Sequence, residues 1–392
     1  MVEARTGRGK VSRWDFSSNL FFGTATRLIL FGEPGQGRVA AGAWRAIECL
    51  FRQIEEDVSP TRPDSPVARY NRAREGEPAM LGGHAAQLFR AAETLRELSG
   101  GAYDPTVAPL VELWGFSATQ RNRGVTCDGV PSQRDIARTR RLVGPGAFRA
   151  AERGEVGVEL VKTTCGCEDE ADGEEPAEAT HAGSSAPTLA QGLDFGGIAK
   201  GYALDGALAI MREGGFIYGV LDCGGSGLAL MSNPHTEDGA WDVPVENPLH
   251  PGGEPCIRLR LHDTVLTTSA DYQHARILDG RRVGHIVNPA TGFPAGWDNP
   301  RGAGRVACSV LVGAPASAAD ALATALCAMS PDQALELVRQ DWFAQVYRCA
   351  LLVAHGQAQG GDEQLTCMTN LQESAFATDP EIVVERFSAP EC

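Results

Sequence analysis

Amphipathic helical segments alternate with short strand-like runs along most of this chain, and that mixed order constrains its fold more than any other feature. Ala43, Ile47, Leu50, Phe51 and Ile54 recur at helical spacing, as do Leu88, Ala91, Leu95 and Leu98 ahead of Gly100-Gly101. A third helix is expected from about Ile198 to Glu213, stopped by Gly214-Gly215, and Ser330-Pro331-Asp332-Gln333 reads as a capping box that starts a fourth. Strand-like runs fall at Ala25–Phe31, Ile217–Leu221, Ile257–Leu261, Val265–Thr268 and Val306–Val312. Strands and helices in this order predict an α+β fold, mixed sheets with packed helices, over a doubly wound parallel sheet.

The 392 residues can bury a sizeable core, and the formal charge of −15 sets the electrostatics. Such a field repels nucleic acid and anionic lipid, so any phosphate-bearing ligand must be held by local donors and a metal ion. The first 22 residues hold no apolar run of the ~7–15 residues a signal peptide needs. No stretch approaches the ~18 apolar residues of a membrane span, so a cytoplasmic protein without membrane insertion is expected. Eleven cysteines, an odd number, fit buried thiols better than a disulfide framework. Cys165 and Cys167 lack the second pair of a zinc ribbon. From about Cys165 to Leu189 acids, Ala, Ser and Pro crowd out apolar residues, which predicts an exposed insert whose loss costs activity little.

Neither a P-loop nor a GxGxxG turn is present, so phosphate recognition needs another device. Four segments offer one. Leu193–Asp205 places Gly196-Gly197 before a helix bearing Lys200, which serves either as an anion cradle or as a plain turn. Asp320 and Thr324 sit at i and i+4 of an Ala-rich helix, so carboxylate and hydroxyl share a face; they suit a hard cation, although an acid early in a helix is also ordinary. His285, ahead of an Asn-Pro and Thr-Gly turn, reads equally as an acid/base or as a hydrogen-bonded strand residue. Asp104 can accept bonds from a base or ribose, or simply make the Asp-Pro-Thr turn.

Taken together and in this order, the segments resemble the FAD:protein FMN transferase (ApbE) family. The matching stretches are Phe22–Ala25, Ser59–Asn71, Gly101–Phe116, Leu193–Asp205 with Gly224-Gly225, Leu266–Tyr272, His285–Gly292 and Ala319–Leu326. The resemblance implies a transferase domain over residues 22–369, with an N-terminal extension at 1–21 and a tail at 370–392. It implies Mg²⁺ bound by Asp320, Thr324 and the main-chain carbonyl of Ala199. It places Ala102, Tyr103 and Asp104 along the isoalloxazine and ribityl of FAD, with Ser269 and Ile286 nearby and Lys200 and Asp205 on the same ligand surface. His285 matches the family's catalytic histidine. The implied reaction moves FMN from FAD to a Ser or Thr hydroxyl of an acceptor flavoprotein and releases AMP. Phe22 replaces the frequent Met, Thr61 a frequent Tyr, and Ser269-Ala270 the usual Ser-Gly; the first two positions touch flavin in the family. The alternatives are an FAD pyrophosphatase, told apart by the absence of flavin on a partner, and a non-enzymatic FAD-binding protein, against which His285, Asp320 and Thr324 argue.

Overall fold

The computed structural model describes residues 3–6, 9–118, 120, 129–154, 157–163, 189–299, 304–356 and 363–387. The expected insert lies almost entirely outside them. Among the described residues the helices are α1 (Gly37–Val58), α2 (Pro66–Arg72), α3 (Gly83–Leu98), α4 (Ala108–Leu113), α5 (Gln133–Arg140), α6 (Ala199–Glu213), α7 (Ala316–Ala328), α8 (Pro331–Val338) and α9 (Asp341–Val346).

A ten-stranded sheet organises the molecule. Its order begins with β1 (Glu3–Thr6), β2 (Gly9–Phe21), β3 (Thr24–Gly32), then β7 (Tyr218–Cys223), β8 (Gly227–Leu230) and β11 (Thr264–Ala270). It continues through β14 (Arg305–Val312), β15 (Arg348–His355), β16 (Gln364–Thr369) and β18 (Val383–Arg386). Neighbours are antiparallel except β16 and β18. Three small sheets flank it: β4 (Pro78–Gly82) with β5 (Phe148–Arg153) and β6 (Gly157–Lys162); β9 (Trp241–Val245) with β10 (Ile257–Leu261) and β17 (Phe376–Thr378); and the hairpin β12 (Arg276–Leu278) with β13 (Arg281–Val283). The α+β expectation holds.

The helices form where the apolar spacing places them. Ala43, Ile47, Phe51 and Ile54 are the buried stripe of α1, and Ser330 and Gln333 cap α8 reciprocally. Central strands read differently from edge strands. Val306–Val312 is buried throughout because both faces are covered: Val306 and Leu311 join the core beneath the helices, whereas Ala307, Cys308 and Val310 join a second core under β9 and β10.

Both ends of the chain differ from expectation. The extension foreseen at 1–21 supplies β1 and β2, which enter the main sheet through β3. Trp14 packs edge-on to Phe216, and Phe16 stacks on Trp44 at 5.8 Å, so alternate residues of β2 are part of the core's margin. The tail foreseen at 370–392 supplies β17, paired to β10, and β18, parallel to β16. Polar residues between the few apolar ones hide both segments from a periodicity reading.

Candidate active site

A cavity of about 580 Å³ opens where the β2–β3 turn, the end of α1, the start of α6, β11 and α7 converge. That volume suits a nucleotide-sized ligand, since such pockets span ~300–1,000 Å³. One corner is built from two helices in backbone contact. Gly201 lets α6 approach α7 so closely that a Cβ there would lie 2.2 Å from the Ala316 carbonyl oxygen and 2.8 Å from the Asp320 Cβ. Asp320 is therefore fully enclosed, and its Oδ2 accepts the Gly201 N–H at 3.0 Å. Burial pushes its carboxyl upward, opposed by the nearby Lys200 cation and the Gly201 bond. Thr324 projects one turn on, with its hydroxyl 3.1 Å from the Ser269 Oγ. Carboxylate, two hydroxyls and the neighbouring start of α6 at Ala199 form an all-oxygen donor set at a buried anion. This is the chemistry of a hard cation, and the residues fit magnesium.

The flavin-side residues line the same cavity. Ala102, Tyr103 and Asp104 follow the Gly100-Gly101 stop of α3. Asp104 is 6% exposed, and its Oδ1 accepts both the N–H and the hydroxyl of Thr106, at 2.8 and 2.5 Å. Burial raises its carboxyl and the two bonds from Thr106 lower it, so part of its accepting capacity already makes the Asp-Pro-Thr turn. The Tyr103 hydroxyl is buried with no hydrogen-bond partner among the described residues, and burial holds its proton firmly, reinforced by Asp194, Asp320 and Asp104. A donor so placed is complete only when a ligand accepts from it. Phe22 adopts φ +51°, with its N–H donated to Glu55 Oε1 at 2.6 Å and its ring edge-on to Phe51. Thr61 lines the mouth and is exposed.

His285, Ile286, Ser269 and Ala270 also line the cavity. The His285 ring meets the His274 ring edge-to-face, with centroids 5.1 Å apart. Thus twelve residues expected at the site, Phe22, Thr61, Ala102, Tyr103, Asp104, Ala199, Lys200, Ser269, His285, Ile286, Asp320 and Thr324, line one cavity. Asp205 does not. Its two carboxylate oxygens accept the N–H groups of Ala316 at 2.7 Å and Ser317 at 2.9 Å, which caps α7. The physical reason is rotation: five residues along a helix turn ~140°, so Lys200 and Asp205 cannot share a face. Glu55, Asp194, Gln273 and His274 are among the cavity residues that the sequence reading did not assign to the site. Asp194 sat inside a matched segment, whereas His274 lies two residues beyond one.

Fold and cavity together define an α+β protein whose ligand cleft holds the buried Asp320 carboxylate, the Thr324 hydroxyl and an imidazole pair. The chain belongs to the ApbE family, whose sequence model matches residues 22–347. It is 27% identical over 348 residues to the FAD:protein FMN transferase of Treponema pallidum, covering 85% of this chain and 83% of that one. The enzyme of the same name from Vibrio cholerae is 25% identical over 296 residues, 75% of each chain. Among solved structures, the ApbE protein of Thermotoga maritima superposes with a TM-score of 0.66 at 23% identity, covering 90% of this chain and 97% of that one. The flavin transferase ApbE from Vibrio cholerae gives 0.64 at 22% identity, over 91% and 97%. These superpositions establish the fold.

Proposed function

We propose that this protein is a magnesium-dependent FAD:protein FMN transferase that joins the FMN phosphate of FAD to a Ser or Thr hydroxyl of an acceptor flavoprotein and releases AMP. One observation carries the reading: Asp320, Thr324 and His285 line a single cavity of nucleotide size. Asp320, Thr324 and the Ala199 carbonyl would hold Mg²⁺, which when bound neutralises the pyrophosphate and polarises it as a Lewis acid. Tyr103 donates a hydrogen bond to the bound nucleotide, and Asp104 accepts from it with its remaining lone pairs. Lys200 adds positive charge beside the phosphates. His285 removes the acceptor hydroxyl's proton as the new O–P bond forms and the bond to AMP breaks. Phe22, held by Glu55, offers its ring to the isoalloxazine in place of a thioether.

The test is incubation of the full chain with FAD, Mg²⁺ and a candidate acceptor, followed by mass spectrometry of the acceptor and measurement of AMP. Transfer yields acid-stable flavin on a Ser or Thr, with one AMP for each flavin attached. Free FMN and AMP without labelled protein would make the enzyme an FAD pyrophosphatase, with water in place of the hydroxyl.

A further inference from the structure

Two imidazoles in contact at one wall of a cavity are more than a single general base requires. His274 is exposed, on the turn Asp271–Ala275, and its ring touches that of the half-buried His285 in the lining of the cavity. The turn is held at both ends. Asp271 Oδ2 accepts the Arg305 Nε–H at 2.7 Å, and the same guanidinium clamps Glu363. The Asp271 N–H donates to the Ala307 carbonyl, and the Tyr272 hydroxyl to Glu246 at 2.5 Å. On the far side Arg276 donates to the Gly115 carbonyl at 3.0 Å and lies over the Phe116 ring. Gly284 closes the arrangement, since a Cβ there would come within 2.8 Å of the Asp271 carbonyl oxygen. The bend bearing His285 and the turn bearing His274 are thus in backbone contact. Their rings meet because the fold fixes them there.

We infer that His274 acts through His285 as its proton partner, receiving the proton that His285 removes from the attacking hydroxyl and delivering it to solvent. The inference rests on the transferase reading. As the acceptor O–H breaks and the O–P bond forms, the P–O bond to AMP breaks and its electron pair leaves with AMP. The proton goes first to His285, which becomes an imidazolium. His285 is half-buried in the cavity wall, whereas His274 is exposed. A proton handed outward restores the base without reopening the loaded cleft.

The experiment uses the full chain with Mg²⁺, FAD and an acceptor flavoprotein bearing the target hydroxyl, and reads AMP release in a single turnover with enzyme in excess over FAD. The expected result for His274→Ala is a rate lower by about tenfold to a hundredfold, a part of the ~10²–10⁴ that a general base supplies, with FAD affinity within about twofold. Free imidazole added to His274→Ala should recover much of the rate, because the vacated position faces solvent. His274→Gln keeps bulk and polarity without basicity and should be as slow as His274→Ala. The double variant with His285→Ala should be no slower than His285→Ala alone, as residues acting as a unit are non-additive. An unchanged rate in His274→Ala, a normal rate in His274→Gln, or fully additive losses would overturn the inference while leaving the transferase reading intact. No AMP from the wild-type chain would remove both.

Discussion

Asp320 carries the sharpest conflict between stability and function in the molecule. A carboxylate enclosed at 2% exposure loses hydration, and the Gly201 N–H and Lys200 offset only part of that loss. Asp320→Ala should therefore leave stability without metal within about 1 kcal/mol of wild type, because the relieved desolvation offsets the lost hydrogen bond and packing. With saturating Mg²⁺ the wild-type chain should gain up to ~2.7 kcal/mol at a hundred times the dissociation constant, and Asp320→Ala should gain nothing. Urea titrations with and without Mg²⁺ measure both, and a magnesium response retained by Asp320→Ala would remove this residue from the metal corner. His285 contrasts with it. His285→Ala should lower single-turnover transfer by roughly two to four orders of magnitude while FAD affinity stays nearly constant, since a base acts chiefly in the transition state. Flavin fluorescence titration beside AMP release separates the two quantities. A large loss of affinity with normal turnover of bound FAD would make His285 a binding residue.

At the scale of elements, the helix pair α6 and α7 does the positioning. Asp205 on α6 caps α7 with both oxygens, and Gly201 sets the separation. Asp205→Ala should cost about 1–2 kcal/mol in urea unfolding, with Asp205→Asn recovering part of it. Because α7 carries Asp320 and Thr324, Mg²⁺ affinity should fall as well, although Asp205 touches no ligand. Isothermal titration with Mg²⁺ checks this, and unchanged affinity would mean that the Gly201 contact alone fixes the corner. The same pair shows what the sequence discloses. The limits of α6 were legible because Gly-Gly pairs bracket it, and the Asp320–Thr324 face because i and i+4 always coincide on a helix. The role of Asp205 was not legible, since a cap on a helix more than a hundred residues away leaves no local pattern. His274 was hidden for a related reason: a turn's position depends on Asp271, Arg305 and Glu363 meeting in space. Similarly β2 and β18 were missed because strands at a sheet's margins bury too few residues to show a period.

Across the whole molecule, buried thiols dominate the response to alkali. Burial pushes Cys223, Cys327 and Cys367 up to about 12 and Cys256 to about 11, whereas an unfolded thiol ionises near ~8.5. Between those values the folded chain keeps protons that the unfolded chain has lost, so stability falls as pH rises, by up to ~1.4 kcal/mol per pH unit for each thiol. Lys162 works the other way. Burial pushes its ammonium down to about 8, so above that pH the folded state sheds a proton that the unfolded state retains until ~10.4. Four thiols outweigh one lysine. Urea midpoints should drop as pH rises from 9 to about 10.5. Cys223→Ala should flatten the slope, and a pH-independent midpoint over that range would contradict the burial of these thiols.

The sheet also sets a timetable for synthesis. Thr26 on β3 pairs with Cys223 on β7, so an early strand waits for a partner nearly two hundred residues downstream. At ~5–20 residues per second a ribosome leaves that edge open for roughly 10–40 s, with β1, β2 and β3 able to form only a three-stranded meander meanwhile. The first thirty residues are thus the most exposed to wrong pairing between neighbouring nascent chains, and crowding on a heavily translated message should reduce the yield of folded protein more than slow growth does.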